Sequence, residues 1–347
     1  MKNLTISLVT NVIFGLNGTQ LNYEEKAFFK EVNPLGFILF KRNCETKEQI
    51  KNLIKSLKDL LGRDNILVLI DQEGGRVARL RPPNFRESLP AKIFGDLALT
   101  DLEQAKVAVY INHLLMGREL ANLGINVDCT PIADLYYKDA NDIIGDRSYG
   151  DDPYIVGELC KIADIGLRDA GVQSIIKHIP GHGRADKDSH LDLPIVNENL
   201  ETLEQNDFKV FSRLSDLNLA MTAHIIYSAI DDKLPATISP RVIDYIRNKI
   251  GFKGLLVTDD LSMKALTGAL KQNAARALEA KCDILLHCNG KIEEMKEIAE
   301  AAQPLTTQQI TKVSRLNIFL NFEPYNDLLY ETEFAELEER LSAIIKV

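Results

Sequence analysis

Cysteine is scarce and unpaired in this chain. Cys44, Cys129, Cys160, Cys282 and Cys288 are an odd number, lie far apart and form no C-x-x-C pair. That excludes a disulfide frame and a zinc ribbon, and it reads as idle thiols in a reducing compartment. Long apolar runs are also missing, since no stretch reaches the ~18 continuous apolar residues of a membrane span. Leu4 to Leu16 is fairly apolar and follows Lys2, but Thr5, Ser7, Thr10 and Asn11 interrupt it and no small-residue cleavage site follows. The expected location is therefore the cytoplasm. Basic character is lacking too. The net charge is −9, which repels phosphate backbones and acidic membrane surfaces, so neither nucleic acid nor membrane is expected as a partner. Neither G-x-x-x-x-G-K-[ST] nor G-x-G-x-x-G occurs, so nothing marks a nucleotide cradle. No internal repeat, low-complexity tract or linker is visible.

What is present is an ordinary globular composition, 45% apolar and 26% charged over 347 residues. At ~150 residues per domain that length suggests two domains, but α/β barrels run to 200–250 residues or more as one unit. Eight apolar runs recur along the chain: Leu8–Phe14, Gly36–Phe40, Ile66–Ile70, Ile125–Cys129, Val172–Ile176, Leu217–Thr222, Leu255–Thr258 and Asp283–Leu286. They are mostly continuous rather than alternating, as parallel strands covered on both faces require. Between them lie helix signals. Asn22 with Glu25, Thr46 with Gln49 and Thr100 with Glu103 fit a capping box or its variant. Asp152-Pro153 and Ser239-Pro240 place a cap before a first-turn proline. Gly62, Gly124, Gly171 and Gly251 stand where helices should stop. The expected fold is α/β, a single (β/α)8 TIM-like barrel over residues 1–302, with a doubly wound open sheet as the alternative. Residues 303–347, with an acidic run near Glu331 to Glu339, are expected to be helices packed outside the barrel within the same domain.

Barrel enzymes carry their chemistry at the C-terminal ends of the strands. Here Asp71 ends the third strand, Lys177 and His178 follow the fifth, His224 the sixth, Asp259 the seventh and His287 the eighth. Polar groups at five of eight ends point to a pocket for a polar small molecule. In Asp71-Gln72-Glu73-Gly74-Gly75-Arg76-Val77-Ala78-Arg79 the glycines permit a tight turn, and Asp71 reads either as a loop cap or as an acceptor for sugar hydroxyls. The segment Lys177 to His190 holds three histidines and two aspartates. The i, i+4 spacing of His178 and His182 suggests zinc, but Pro180, Gly181 and Gly183 would break the helix and the glutamate of H-E-x-x-H is missing. A glycine-rich loop carrying a catalytic dyad fits better. Asp188 and His190 are two apart, so an extended stretch can put them on one side, where Asp188 orients the imidazole and favours its protonated form. In Thr258-Asp259-Asp260-Leu261-Ser262-Met263, one aspartate can cap the next helix while the other serves as a covalent nucleophile. His113, within a helix, reads as structural.

Taken together, these segments resemble glycoside hydrolase family 3, and within it the bacterial β-N-acetylglucosaminidases of peptidoglycan recycling. The motifs that carry the resemblance are Asp71-Gln72-Glu73-Gly74-Gly75-Arg76-Val77, Gly145-Asp146-Arg147-Ser148, Lys177-His178-Ile179-Pro180-Gly181-His182-Gly183 with Asp188-Ser189-His190, and Thr258-Asp259-Asp260-Leu261-Ser262-Met263. They span nearly the whole chain in order. Gln72, Ile179 and Tyr149 are small departures at variable positions. The resemblance implies that Asp259 rather than Asp260 is the nucleophile and that His190, oriented by Asp188, is the general acid/base. It further implies that Asp71, Arg79, Arg147, Lys177 and His178 hold N-acetylglucosamine. The implied substrate is N-acetylglucosamine β-1,4-linked to anhydro-N-acetylmuramic acid, with or without peptide, and the expected enzyme is a monomer with no cofactor and no metal. The competing readings are a relative specific for glucosides or xylosides, a glycoside phosphorylase, a metal-dependent hydrolase using His178, His182 and His190, and an inactive sugar-binding barrel.

Overall fold

Strands form where the apolar runs predict them. The computed structural model describes residues 9–140, 142–187, 189, 192–316 and 327–345. β1 (Thr10–Gly15), β2 (Pro34–Leu39), β3 (Leu67–Ile70), β4 (Val127–Asp128) and β5 (Gln173–Ser174) follow one another as parallel neighbours. After Ile175 the fifth position resumes as β6 (Ile176–Ile179). β7 (Ile195–Val196) and β9 (Ile226–Tyr227) make a separate parallel pair. β8 (Leu219–Thr222), β10 (Leu255–Val257) and β11 (Leu285–His287) supply the last three positions.

The ladder runs in two arcs, β11-β1-β2-β3-β4-β5 and β10-β8-β6. One seam is the chain itself at Ile175. The other is the bridge Val257–Ile284, where the Thr258 amide donates to the Ile284 carbonyl at 2.9 Å. The hydrogen-bonded sheet is thus not continuous around the ring, yet all eight positions are filled. Helices cross between them, among them Tyr23–Val32, Lys47–Leu61, Leu102–Leu123, Pro153–Asp169, Leu270–Glu279 and Ile292–Ala299. The architecture is a (β/α)8 barrel of the TIM type.

The continuous apolar strands serve two cores. Ile13, Leu35, Ile38, Leu67, Leu69, Leu219, Met221, Leu255, Val257 and Leu286 point inward and fill the barrel. Their neighbours Val12, Phe14, Phe37, Leu39, Val68, Ile70, Ala220 and Leu256 point outward against the helices. The period-2 alternation of strand side chains survives, but both faces are apolar because both are covered. Helix Thr307–Ser314 seals the N-terminal mouth of the barrel. Leu305, Val313 and Leu316 join the interior cluster, Gln309 Nε2 donates to the Asp283 carbonyl at 2.7 Å, and Lys312 Nζ donates to that of Gly254 at 3.1 Å. Helix Asp327–Ile345 lies along Leu102–Leu123, tied by Arg118–Glu333 at 3.3 Å and by Arg86 to Glu338. With one mouth plugged, the opposite rim is left for chemistry. Among the described residues no helix is long and apolar enough to cross a membrane.

Several local expectations hold. Asn22 and Glu25 form a reciprocal capping box. Thr46, Asp152 and Ser239 accept first-turn amides. Gly62, Gly124 and Gly251 end their helices with positive φ. His113 is buried, with Nδ1 2.8 Å from the Val109 carbonyl and Nε2 3.4 Å from Tyr149 Oη. Two expectations need correction. The cap of the long fourth-position helix is Asp101, which accepts the Gln104 amide at 3.0 Å, not Thr100. Lys177 and His178 do not follow the fifth strand but lie within its second half, β6.

Candidate active site

The C-terminal rim holds a cavity of about 330 Å³, within the size of small-molecule sites. Asp71, Glu73, Arg76, Arg79, Arg147, Lys177, His178 and Asp259 supply its polar lining, and Ile38, Val77, Ile143, Met221, Leu286 and Cys288 its apolar lining. The structure therefore brings together six of the residues singled out from the sequence: Asp71, Arg79, Arg147, Lys177, His178 and Asp259. Asp188 and His190 lie outside the described residues.

The turn after β3 delivers most of one wall. Gly74 and Gly75 both have positive φ, and a Cβ on Gly74 would stand 2.1 Å from the Leu89 carbonyl oxygen, so only glycine fits that approach. Gln72 clasps the turn. Its Oε1 accepts the amides of Arg79 and Leu80 at 2.8 and 3.0 Å, and its own amide donates to Asp128 Oδ1 at 2.9 Å. Asp71, Glu73, Arg76 and Arg79 are thereby carried on one rigid loop. Arg76 reaches across to Asp146 Oδ1 at 2.8 Å and to the carbonyls of Ile143 and Ile144, pinning the loop that bears Arg147.

The charges alternate. Arg79 Nη2 lies 2.9 Å from Asp71 Oδ2, and Asp71 Oδ1 lies 2.8 Å from Lys177 Nζ. Lys177 Nζ is also 2.7 Å from Glu73 Oε1, and Glu73 accepts both Nε and Nη2 of Arg147 at 2.7 and 2.9 Å. Burial pushes the Asp71 carboxyl upward, but the Lys177 ammonium and Arg79 guanidinium outweigh it and hold the group well below the usual carboxylate range. Glu73 is likewise buried yet lowered by Arg147 and Lys177. For Lys177, burial acts downward and the two carboxylates, prevailing, raise it. All three of these groups stay ionised at neutral pH. Asp128, fully buried beneath them without a paired cation, goes the other way, with burial lifting its carboxyl well above the usual range.

On the adjoining wall, His178 Nδ1 is 2.7 Å from Asp134 Oδ2, while the amides of His178 and His182 both donate to Asp134 Oδ1. Burial opposes ionisation of Asp134, but His178 and those donors win and lower it. A carboxylate there fixes Nδ1 as the protonated nitrogen of His178 and leaves Nε2 for a ligand. His182 is buried with its pKa pushed down to about 4 by burial and by His178, and its Nε2 is 3.2 Å from Ser189 Oγ. It does not line the cavity.

The two adjacent aspartates divide their labour visibly. Asp260 is consumed by the loop, where its carboxylate accepts Ser262 N, Ser262 Oγ and Cys288 N at 3.0, 2.8 and 3.1 Å. Asp259 faces the cavity, and its Oδ1 accepts the Asp260 amide at 2.8 Å. Among the described residues no group of three or more His, Cys, Asp or Glu is arranged to hold a metal ion.

Sequence reasoning passed over Glu73 and Asp134 as site builders, and it placed His224 at a strand end without giving it a role. Glu73 sits inside the quoted motif, and its adjacency to Asp71 was the available signal. Asp134 is a lone acid in an apolar stretch after the fourth strand, which marks a buried partner for something basic.

Residues 6–316 match the N-terminal domain of glycosyl hydrolase family 3. A β-hexosaminidase of Alkalilimnicola ehrlichii is 37% identical over 287 residues, 81% of each chain. Another, from Hydrogenovibrio crunogenus, is 31% identical and spans 96% of this chain and 94% of its own. The crystal structure of NagZ from Neisseria gonorrhoeae in complex with N-trifluoroacetyl-D-glucosamine is similar with a TM-score of 0.87 at 30% identity, over 97% of this chain and 98% of that one. A family 3 β-N-acetylglucosaminidase from Paenibacillus is similar with a TM-score of 0.84 at 29% identity, over 99% of this chain and 69% of that one.

Proposed function

The chain belongs to glycosyl hydrolase family 3 and is a β-N-acetylhexosaminidase, and from that premise we propose that it removes terminal β-linked N-acetylglucosamine with retention, using Asp259 as the nucleophile. The observation that carries this reading is that Asp259 opens into the same cavity as the Asp71–Lys177–Glu73–Arg147 cluster. A carboxylate able to attack thus faces groups able to hold a polyhydroxylated ring.

In the proposed reaction one Asp259 oxygen attacks the anomeric carbon as the glycosidic bond breaks. His190 gives its proton to the leaving oxygen. Water then attacks the anomeric carbon and displaces Asp259 while His190 takes a proton from that water, and two inversions give net retention. Asp188 orients His190 and favours its protonated form, which an unperturbed imidazole with a pKa of ~6.5 only partly populates at neutral pH. The sugar is held by Asp71, Arg79, Arg147, Lys177 and His178. Asp71 and Glu73 each retain an acceptor site beyond those used by the cations, and Lys177 Nζ retains one of its three donors. The proposed substrate is N-acetylglucosamine β-1,4-linked to anhydro-N-acetylmuramic acid, with or without stem peptide. The proposed setting is cytoplasmic recycling of the cell wall.

The test is a paired assay on nitrophenyl β-N-acetylglucosaminide and nitrophenyl β-glucoside with wild type and Asp259→Asn. Cleavage of the acetamido substrate alone, nearly abolished in the variant, is expected. A variant that keeps its rate refutes the nucleophile assignment. His190→Ala should lose ~10²–10⁴-fold on a sugar-alcohol leaving group and far less on nitrophenol, which needs little protonation; equal losses count against the acid role. Repeating the assay in phosphate buffer separates hydrolysis from phosphorolysis, which would yield glycosyl phosphate.

A further inference from the structure

We infer that His224 is a positioning residue for the nucleophile, acting through a buried proton-ordered relay that runs Thr222, Thr237, His224, Asp260 carbonyl. The inference rests on the assignment of Asp259 as the nucleophile.

All three relay side chains are fully buried. Thr222 ends β8, the neighbour of β10 that leads into Asp259. His224 Nε2 lies 2.9 Å from the Asp260 carbonyl oxygen and Nδ1 lies 2.7 Å from Thr237 Oγ1. A carbonyl oxygen only accepts, so Nε2 must carry the proton. Burial keeps the ring neutral by lowering its pKa, so Nδ1 is a bare lone pair and must accept. Thr237 therefore turns its single proton to Nδ1 rather than to the Ala223 carbonyl, which is farther at 3.1 Å. The Thr237 oxygen in turn accepts from Thr222 Oγ1 at 2.8 Å. Every donor has one acceptor, and the tautomer is set from end to end.

What the relay grips is the peptide next to Asp259. The Asp260 amide holds Asp259 Oδ1 at 2.8 Å, and the Asp260 carbonyl is held by His224. The Asp260 carboxylate is held by Ser262 and Cys288. The residue after the nucleophile is thus anchored at both its side chain and its carbonyl, and its remaining N–H aims one carboxylate oxygen. His224 does not line the cavity, so its influence on the sugar must pass through Asp259. A carboxylate displaced by ~1 Å from its line of attack can cost ~10²-fold in rate.

The experiment compares His224→Gln, His224→Asn and Thr237→Val on nitrophenyl β-N-acetylglucosaminide. Glutamine places an N–H donor near the position of Nε2 and is expected to stay within about threefold of wild-type kcat by analogy with other donor-preserving swaps. Asparagine is too short to reach the Asp260 carbonyl and is expected to lose about 10–100-fold in kcat, with KM within about twofold. Thr237→Val keeps the shape but removes the donor to Nδ1, and should lower kcat by about 10-fold with the same unchanged KM. Equal losses in the glutamine and asparagine variants, an effect confined to KM, or an unchanged kcat in Thr237→Val would each overturn the relay. Labelling with a 5-fluoro glycosyl fluoride of N-acetylglucosamine, followed by peptide mass mapping, separates this failure from that of the underlying reading. Slower labelling of Asp259 in His224→Asn supports the relay, whereas a label on any other residue refutes the nucleophile assignment itself.

Discussion

Replacing Glu73 by glutamine should unsettle the site more than any change to a residue that faces solvent. The Glu73 carboxylate is nearly buried and accepts three charged donors, two from Arg147 and one from Lys177. Glutamine keeps one acceptor oxygen and turns an NH₂ toward a cation, so at least one contact becomes donor against donor. It also leaves Arg79, Lys177 and Arg147 facing Asp71 as the one carboxylate of the cluster. Removing one partner of a buried ion pair costs ~3–5 kcal/mol. At ~2.1 cal/mol/K of unfolding entropy per residue, 347 residues give about 0.73 kcal/mol/K, so Tm should fall by about 4–7 °C. Because Lys177 and Arg147 are also proposed to hold the sugar, KM for nitrophenyl β-N-acetylglucosaminide should rise by about 10-fold or more, equivalent to ~1.4 kcal/mol. The pH dependence gives a second handle. Glu73 is lowered in the folded protein, so its stabilising contribution is complete above the ordinary carboxylate range of about 4 and disappears as pH falls through the lowered folded value. The Tm gap between wild type and Glu73→Gln, followed by differential scanning fluorimetry, should therefore be widest near neutrality and close in acid. A gap below about 1 °C at neutral pH, or one that does not change with pH, would refute the reasoning.

Other perturbations separate scaffold from site. Leu316→Ala opens a void just after helix Thr307–Ser314, where that segment plugs the barrel; it should cost ~2–5 kcal/mol with kcat and KM unchanged, and altered kinetics would show that the two mouths are coupled. In Gly95→Ala the new Cβ would stand 1.7 Å from the Tyr149 carbonyl oxygen, so helix Ala91–Ala98 must retreat. A stability loss of at least ~1–3 kcal/mol with a raised KM is expected, because Arg147 lies two residues before the clash, and a fully stable variant would contradict the packing. Burial pushes the thiols of Cys129 and Cys160 well up, so Ellman's reagent at mildly alkaline pH should leave both unlabelled in the native protein and reach them after unfolding. Fast native labelling at either would place a solvent path where both side chains are fully buried.

The ring was legible in the sequence because its strands are covered on both faces, which turns each into an unbroken apolar run. Their ends were not. The fourth run, Ile125–Cys129, contracts to Val127–Asp128, and the fifth extends through Lys177 and His178. Hydropathy stops at a lysine, whereas the fold tolerates it because Asp71 and Glu73 wait at 2.8 and 2.7 Å. The motifs of Asp71, Lys177 and Asp259 were legible as site components because each stands where an apolar run ends, whereas Arg147 sits on a loop well past β4 and no run points to it. Glu73 and Asp134 escaped because their value lies in a partner 74 or 44 residues away, and His224, legible as a strand-end group, kept its role hidden because its partner is a carbonyl; no local pattern records that. The choice between Thr100 and Asp101 as a helix cap turned on a single residue of register, which propensity alone does not resolve.

The arrangement of charge also suggests why a chain with a net charge of −9 builds a site from arginine and lysine. A sugar bearing hydroxyls and an acetamide group has no charge to neutralise, so free cations in the cavity would gain little from it and would stay hydrated. Interleaved with Asp71 and Glu73, the three cations are held at fixed angles, and each carboxylate is in turn locked as an acceptor by its lowered pKa. The wall then presents charge-assisted donors and acceptors at set positions, stronger than neutral hydrogen bonds and already ordered before a ligand arrives. Asp259 is kept apart from that ladder on its own strand, anchored through the Asp260 peptide. The carboxylate proposed to attack is thus carried after a different strand from the loop that carries Asp71 and Glu73, so the proposed nucleophile is aimed by its own peptide while the proposed sugar-holding groups are ordered by one another.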